Sequence, residues 1–295
     1  MRACTSDSDF EMNAEGEAFL RDFHSRHPGC STHAFARGKD EAGQSSYERL
    51  ARAIPTMRSG LTVLDLGCGD GYLLERVRER VGPSATLIGI DMSPHELDAA
   101  RARLDPADVD LRCERSQATT VAVGSIDAVV SHMALMLMAP LDEVVAEAHR
   151  VLRPGGMFAA VVSSDRLPSG AWAEFIGILR GLGAAPTIRI GDRRAYTVEG
   201  LRETFKAPRW SEITMEDFEL ELDGTWPQVE AYLFASYVPD LLESRFRESL
   251  RREAAVRIPR LADGRGNIPC RIAMRLLAFR RDAEDAKVNV ATGSN

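Results

Sequence analysis

Cysteine is scarce in this 295-residue chain. Cys4, Cys30, Cys68, Cys113 and Cys270 are odd in number, scattered, and form no CxxC pair. That speaks against a disulfide framework and against a clustered zinc site. No apolar run approaches the length of a membrane span, and the polar, acidic stretch Met1 to Met12 lacks the apolar core of a secretory signal. Excess positive charge is missing too: 37 Lys and Arg stand against 44 Asp and Glu, a formal net charge of −7. A phosphate-backbone binder usually carries the opposite imbalance, although a local basic groove would survive that average. No internal repeat is found. The expectation is a soluble, reduced, cytoplasmic protein with no nucleic-acid or membrane partner.

What is present is globular. Hydrophobic residues make up 44% and charged residues 27%, enough apolar material for a core. The length suits one elaborated α/β domain, or one domain with a cap. Strand-like and helix-like periodicities alternate from Leu61 onward. Strands are expected at 61–66, 85–90, 109–113, 125–131 and 157–163, with helices at 72–81, 93–104 and 141–152 between them. Ser93-Pro94 reads as an N-cap followed by a first-turn proline, and Arg153-Pro154-Gly155-Gly156 as a helix stop. Short connections of this kind imply a parallel sheet with right-handed crossovers. Further on, helices are expected at 171–182 and 197–205, a strand at 210–222, a helical block at 227–257 and a closing strand at 268–280. The predicted organisation is a frayed 1–12, a helical cap over 13–58, a core over 59–223 and 263–281, a helical insertion over 224–262, and a frayed tail over 282–295.

The central motif is Val63-Leu64-Asp65-Leu66-Gly67-Cys68-Gly69-Asp70-Gly71, set between a strand and a helix. Glycines let a ligand approach the main chain, and the following helix start offers oriented N–H groups. A plain strand-to-helix turn would also use glycine, but the spacing adds information. A dinucleotide loop reads GxGxxG; this one reads GxGxG with Asp65 two residues ahead. A pyrophosphate gains nothing from that acid, whereas a ligand with an ammonium group tolerates it well. Asp91 ends the next strand, twenty residues after Gly71, where a carboxylate accepts two ribose hydroxyls.

The run VLDLGCGDG, then GIDMS, SIDAVVSHMAL and EAHRVLRPGGMF, resembles the class I S-adenosylmethionine-dependent methyltransferases, in particular the bacterial small-molecule branch related to quinone biosynthesis. The resemblance is strong over about 60–165 and weak over 195–222. It implies a Rossmann-like, seven-stranded, mainly parallel α/β sheet with the last strand antiparallel, and S-adenosyl-L-methionine as cofactor. It implies Gly67 and Gly69, with Cys68 between them, against the methionine part, Asp65 near the amino group, Asp91 on the ribose and Met92 on the adenine. Tyr47 would cover the cofactor and Ser131 would flank it. In that branch an Asp after strand three usually holds the adenine amino group. Here Arg115, Ser116 and Gln117 occupy the neighbourhood, leaving Ser116 or Gln117 to accept that bond through a side-chain oxygen.

Methyl transfer from a sulfonium needs orientation and water exclusion more than a catalytic motif. A base is required only when the acceptor must lose a proton. His132, at the carboxyl end of strand four, is the leading candidate, since ligands bind at that end of open sheets and an ordinary imidazole titrates near neutrality. A structural histidine bonding a loop carbonyl is the competing reading. His24 and His27 lie in the cap, His24 as a second catalytic candidate and His27 as an acceptor contact. Met133 and Met136 are candidate linings of an apolar acceptor pocket, against ordinary core packing. His33, His95 and His149 read as surface residues. Strand four ends without carboxylates, so a metal site is not expected. The sequence points to a metal-independent methyltransferase for a small molecule, oxygen ahead of nitrogen or carbon. The alternative is a cofactor-binding protein of this fold that transfers no methyl group. A dinucleotide oxidoreductase is disfavoured by the loop spacing.

Overall fold

The structure is a computed structural model that describes residues 7–56, 59–206 and 209–283, with side chains from residue 14 onward. Three helices come first: α1 (Asp7–Arg26), α2 (Cys30–Phe35) and α3 (Ser46–Ala53). Residues 7–12 thus open α1, where a frayed segment was expected. The rest of that segment, 1–6, and the tail 284–295 lie outside the described residues.

Strand β1 (Thr62–Leu66) leads into α4 (Tyr72–Val81), β2 (Thr86–Asp91), α5 (Pro94–Arg103) and β3 (Val109–Cys113). Then follow β4 (Ile126–His132), α6 (Leu141–Val151) and β5 (Leu152–Ser163). These five strands are parallel, in the order β3-β2-β1-β4-β5. All seven residues of β4 are buried, and the last four of β1. Such continuous burial fits strands covered on both faces, as parallel strands require. Ser93 caps α5, its Oγ accepting from Glu96 N at 3.4 Å, with Pro94 opening the helix.

The sequence-based boundaries fail in two informative places. Strand β5 begins at Leu152 and runs straight through Pro154-Gly155-Gly156, where a helix stop followed by a turn was expected. Its register against β4 shifts between Ile126 and Ala128, and Gly155 has φ +77°. The prolines and glycines build an irregular strand start of the bulge kind. The helical block splits into α9 (Trp226–Phe234) and α10 (Ser244–Arg257). Pro239 stands in the gap, lacking an N–H and disfavouring helix before it.

The remaining elements are β6 (Ser169–Gly170), α7 (Ala171–Gly181), α8 (Val198–Thr204), β7 (Trp210–Glu221) and β8 (Cys270–Arg281). Strand β8 lies beside β5, and β6 and β7 both pair with it. Leu222 N donates to Cys270 O and Asp282 N to Arg209 O, so β7 and β8 run antiparallel. Among the described residues, eight strands replace the expected seven because β6, at two residues, is too short to leave an alternation. Arg275 on β8 is buried and grips Asp217 of β7 with Nε at 2.7 Å and Nη2 at 3.1 Å, while Nη1 donates to Tyr196 O.

Two compact units divide the chain. One holds residues up to 46, 164–190 and 218–274; the other holds 47–163, 191–217 and the chain from 275. Residues 164–190 therefore group with the N-terminal helices and not with the strands they follow. Among the described residues, no helix is long and apolar enough to cross a membrane.

Candidate functional site

The sheet unit carries the glycine loop at the carboxyl end of β1. Gly67 N and Cys68 N both donate to Ile90 O, which folds the loop back over the end of β2. Gly67, Gly69 and Gly71 have φ of +72°, +52° and +78°. Two of them are shaped by protein neighbours. A Cβ on Gly67 would lie 2.6 Å from the Ala134 Cβ, and one on Gly71 2.6 Å from Leu104 Cδ1. Gly69 differs, since a Cβ there would meet only Glu96 Oε2, at 3.7 Å. The main chain at Gly69 borders open space, the condition for a ligand to lie against it.

Asp65 is 1% exposed, and neither carboxylate oxygen has a hydrogen-bond partner in the protein. Burial, assisted by the nearby Asp91 carboxylate, pushes its carboxyl well above the usual range. Buried polar groups are nearly always paired, and this carboxyl is an exception in the protein as it stands. Burial likewise raises the Cys68 thiol, with Asp91, Asp65 and Glu96 adding to the shift. Asp91 is tied down on both oxygens, Oδ2 accepting from Gly69 N at 2.9 Å and Oδ1 from Ser93 N at 2.8 Å. A carboxylate oxygen can accept more than one hydrogen bond, so ribose hydroxyls remain compatible with this geometry. Met92 follows at half exposure.

Beyond β3, Ser116 is buried and Gln117 donates through Nε2 to Ala139 O at 2.7 Å. Gln117 thereby bridges to the turn after β4. That turn is also held from residues 191–192: Asp192 N donates to Met136 O, and a Cβ on Gly191 would lie 1.9 Å from the same oxygen. Met133, at φ +51°, and Met136 are both buried.

Several expectations change. Ser131 is fully buried and donates its hydroxyl to Leu66 O at 2.8 Å, stitching β4 to β1. His132 is 6% exposed and stacks on Tyr47, with ring centroids 3.6 Å apart and planes at 21°. Burial lowers its imidazole from the ordinary value to about 3, so a base titrating near neutrality is not what this position offers. Tyr47 also meets Tyr72 edge-on at 4.8 Å. His149 is half-buried against Trp210, not a surface residue.

The other unit holds His24 and His27. His24 is half-buried, with Nε2 3.2 Å from the Tyr237 hydroxyl and Nδ1 4.0 Å from Cys30 Sγ. Tyr237 was missed in the sequence because it lies in the irregular gap after α9. His27 is exposed against Phe23 and Arg26.

A cavity of about 570 Å³ opens among Arg78, Thr86, Asp108 and Leu111, at the amino ends of β2 and β3. Open α/β sheets bind ligands at the other end, where the glycine loop lies, so this cavity is not the candidate site.

Comparison with known proteins finds relatives of the segment that carries the glycine loop. Residues 63–156, from the glycine loop through the start of β5, match a methyltransferase domain family. An arsenite methyltransferase of Aquipseudomonas alcaligenes is 30% identical over 207 residues, 60% of this chain and 59% of that protein. A ubiquinone biosynthesis O-methyltransferase of a Methylobacterium species is 30% identical over 158 residues, 53% of this chain and 54% of that protein. A nocamycin O-methyltransferase of Saccharothrix syringae is 32% identical over 123 residues, covering 40% and 44%. The chain thus spans roughly half the length of each of these curated relatives. Among solved structures, the YcgJ protein of Bacillus subtilis shares the fold with a TM-score of 0.55 at 14% identity, covering 80% of this chain and 98% of that one. The [4+2]-cyclase SpnF does so with 0.52 at 21%, covering 90% and 92%. The sheet order and the acid-preceded GxGxG loop accompany the matched domain, so residues 63–156 are similar to a methyltransferase domain.

Proposed function

We propose that the protein moves a methyl group from S-adenosylmethionine to a small-molecule acceptor, without a metal, and that oxygen leads nitrogen and carbon as the accepting atom. The observation that carries the reading is Asp65, a buried carboxyl without a protein partner beside a loop whose Gly69 borders open space. These features fit the ammonium and the body of that cofactor, with Asp91 available to the ribose. When bound, S-adenosylmethionine supplies a methyl on a sulfonium, which an acceptor lone pair displaces to leave a neutral thioether. The chain's share is to bind, orient and exclude water. Because burial lowers the His132 imidazole to about 3, it is a weak proton acceptor, and the reading gives it no base role. An oxygen acceptor is then one acidic enough to ionise unaided, such as a carboxylic acid, enol or phenol. Two of the relatives named above are O-methyltransferases, which supports oxygen.

The second reading is binding without methyl transfer. It draws on the likeness in fold to a protein described as a [4+2]-cyclase, since fold alone does not fix chemistry.

The test has two steps. Calorimetric titration with S-adenosylmethionine and with NAD comes first; binding of the former and silence toward the latter is expected. Incubation with a panel of carboxylic acids, phenols, amines and thiols then reads S-adenosylhomocysteine formation. Tight NAD binding with silence toward S-adenosylmethionine overturns the whole reading. Binding without product across the panel favours the second.

A further inference from the structure

The last turn of α5 lies against the glycine loop, and Arg103 is a side chain there that grips it. Its Nε donates to Asp70 O at 2.9 Å and its Nη2 to Asp70 Oδ2 at 2.6 Å. One guanidinium thus holds both the main chain and the carboxylate of a single loop residue, which is itself buried. The residues around Arg103 press on the same place. A Cβ on Gly71 would lie 2.6 Å from Leu104 Cδ1 and 3.2 Å from Ala100 Cβ. Arg103 is braced in turn from α4: its guanidinium carbon stands 5.2 Å from the centre of the Tyr72 ring, and Nη1 lies 3.5 Å from Glu75 Oε2.

The consequence is a fixed peptide plane. In the peptide joining Asp70 to Gly71, the C=O accepts from Arg103 and the N–H donates to Cys68 O at 3.0 Å. Both of its polar groups are engaged, so it cannot rotate without breaking a bond. Just before Asp70 stands Gly69, whose N–H is held by Asp91 and whose main chain borders open space. The stretch of loop open to a ligand is therefore pinned at one end by Asp91 and at the other by Arg103.

We propose that Arg103 is a positioning residue for cofactor binding: through its two bonds to Asp70 it sets the loop conformation against which S-adenosylmethionine lies. The inference rests on the cofactor reading above. The fork of the guanidinium matters as much as its charge. It aims N–H groups in one plane at fixed spacing, whereas the ammonium of lysine is a point charge on a flexible stem. In this role Arg103 acts on the loop and not on the charge of the ligand, so it serves S-adenosylmethionine and S-adenosylhomocysteine alike.

The test uses the full-length protein, with dissociation constants for both ligands measured well below the thermal midpoint of each variant. Arg103→Lys should weaken both ligands about tenfold, the worth of one charged hydrogen bond, and Arg103→Ala at least as much. A double-mutant cycle locates the effect: Asp70→Ala should weaken binding too, and adding Arg103→Lys to it should cost little more. Arg153→Lys controls for stability alone, because Arg153 pairs with Asp127 at the amino end of β4, away from the loop. It should lower the midpoint and leave both constants at the parent's values. Parent-like affinity in Arg103→Lys overturns the proposal, as does additivity with Asp70→Ala or an equal loss of affinity in Arg153→Lys. If either alanine variant is too unstable to measure, Arg103→Lys against the Arg153→Lys control decides. A parent that binds neither ligand overturns the cofactor reading itself, and this inference falls with it.

Discussion

The Tyr47 ring lies 3.6 Å from the His132 ring, nearly parallel to it, and the two residues are 85 positions apart in sequence. Tyr47 sits in α3 and His132 ends β4, so an aromatic lid closes over the histidine from a distant helix. The lid and the surrounding burial keep the imidazole neutral.

That neutrality has a measurable cost in acid. In the unfolded chain His132 titrates near ~6.5, whereas in the folded chain it does so at about 3. Between those values the unfolded state binds the extra proton. The stability contributed by neutral His132 is thus full above about pH 6.5 and falls with pH, by up to about 1.4 kcal/mol per pH unit. Asp65 acts in the opposite direction, because its raised carboxyl favours the folded state once protonated. Urea unfolding of the parent and of His132→Phe between pH 4.5 and 7.5 isolates the histidine. The variant keeps a ring against Tyr47 and should lose that slope; a slope that persists belongs to another group. Turnover by the parent should likewise show no rise through pH 6.5, the limb a histidine base of ordinary pKa would give.

In the proposed reading, Asp65 should make cofactor binding depend on pH. Its carboxyl is held protonated to unusually high pH, and an ammonium needs the carboxylate. Binding should therefore release a proton, and affinity for S-adenosylmethionine should rise with pH through the raised pKa. Calorimetry in two buffers of different ionisation heat counts the protons. Asp65→Asn should weaken binding by about 1.5–3 kcal/mol, the worth of a charged hydrogen bond, and should flatten the pH dependence. Binding by the variant equal to the parent's would move the ammonium elsewhere.

Asp91 holds the loop, and in the proposed reading it also serves the ligand. Asp91→Ala leaves Gly69 N and Ser93 N without their acceptors. Cofactor affinity should fall, and unlike a residue used for binding alone, Asp91 should also lower the thermal midpoint of the free protein. The expected loss is about 1–3 kcal/mol for the unsatisfied donors. A midpoint equal to the parent's would show that the loop holds its shape without this carboxylate.

Much of the sheet was legible because its strands are uninterrupted apolar runs ending at glycines or acids. Leu61 to Gly71 announces both a strand and a loop. Other features had no local sign. Ser131 and His132 lie on a strand buried along its whole length, where no polar alternation marks which side chain faces a ligand. The Ser131 bond to Leu66 and the Tyr47 lid over His132 join segments far apart in sequence, and periodicity carries no word of them. Pro154 and the two glycines after it read as punctuation, yet the strand pairs through them with a shifted register.

Strand β8 carries one more implication. It is the last of the eight strands in sequence, yet β5 flanks it on one side and β7 pairs with it. Its residues 270–274 belong to one compact unit and those from 275 to the other. On a ribosome, where chains emerge amino end first, β5 and β7 would wait with unpaired edges until this strand arrived. Unpaired edges invite pairing with other chains, so the nascent protein is most exposed to aggregation just before β8 emerges, and a ribosome stalled there would leave both units unfinished.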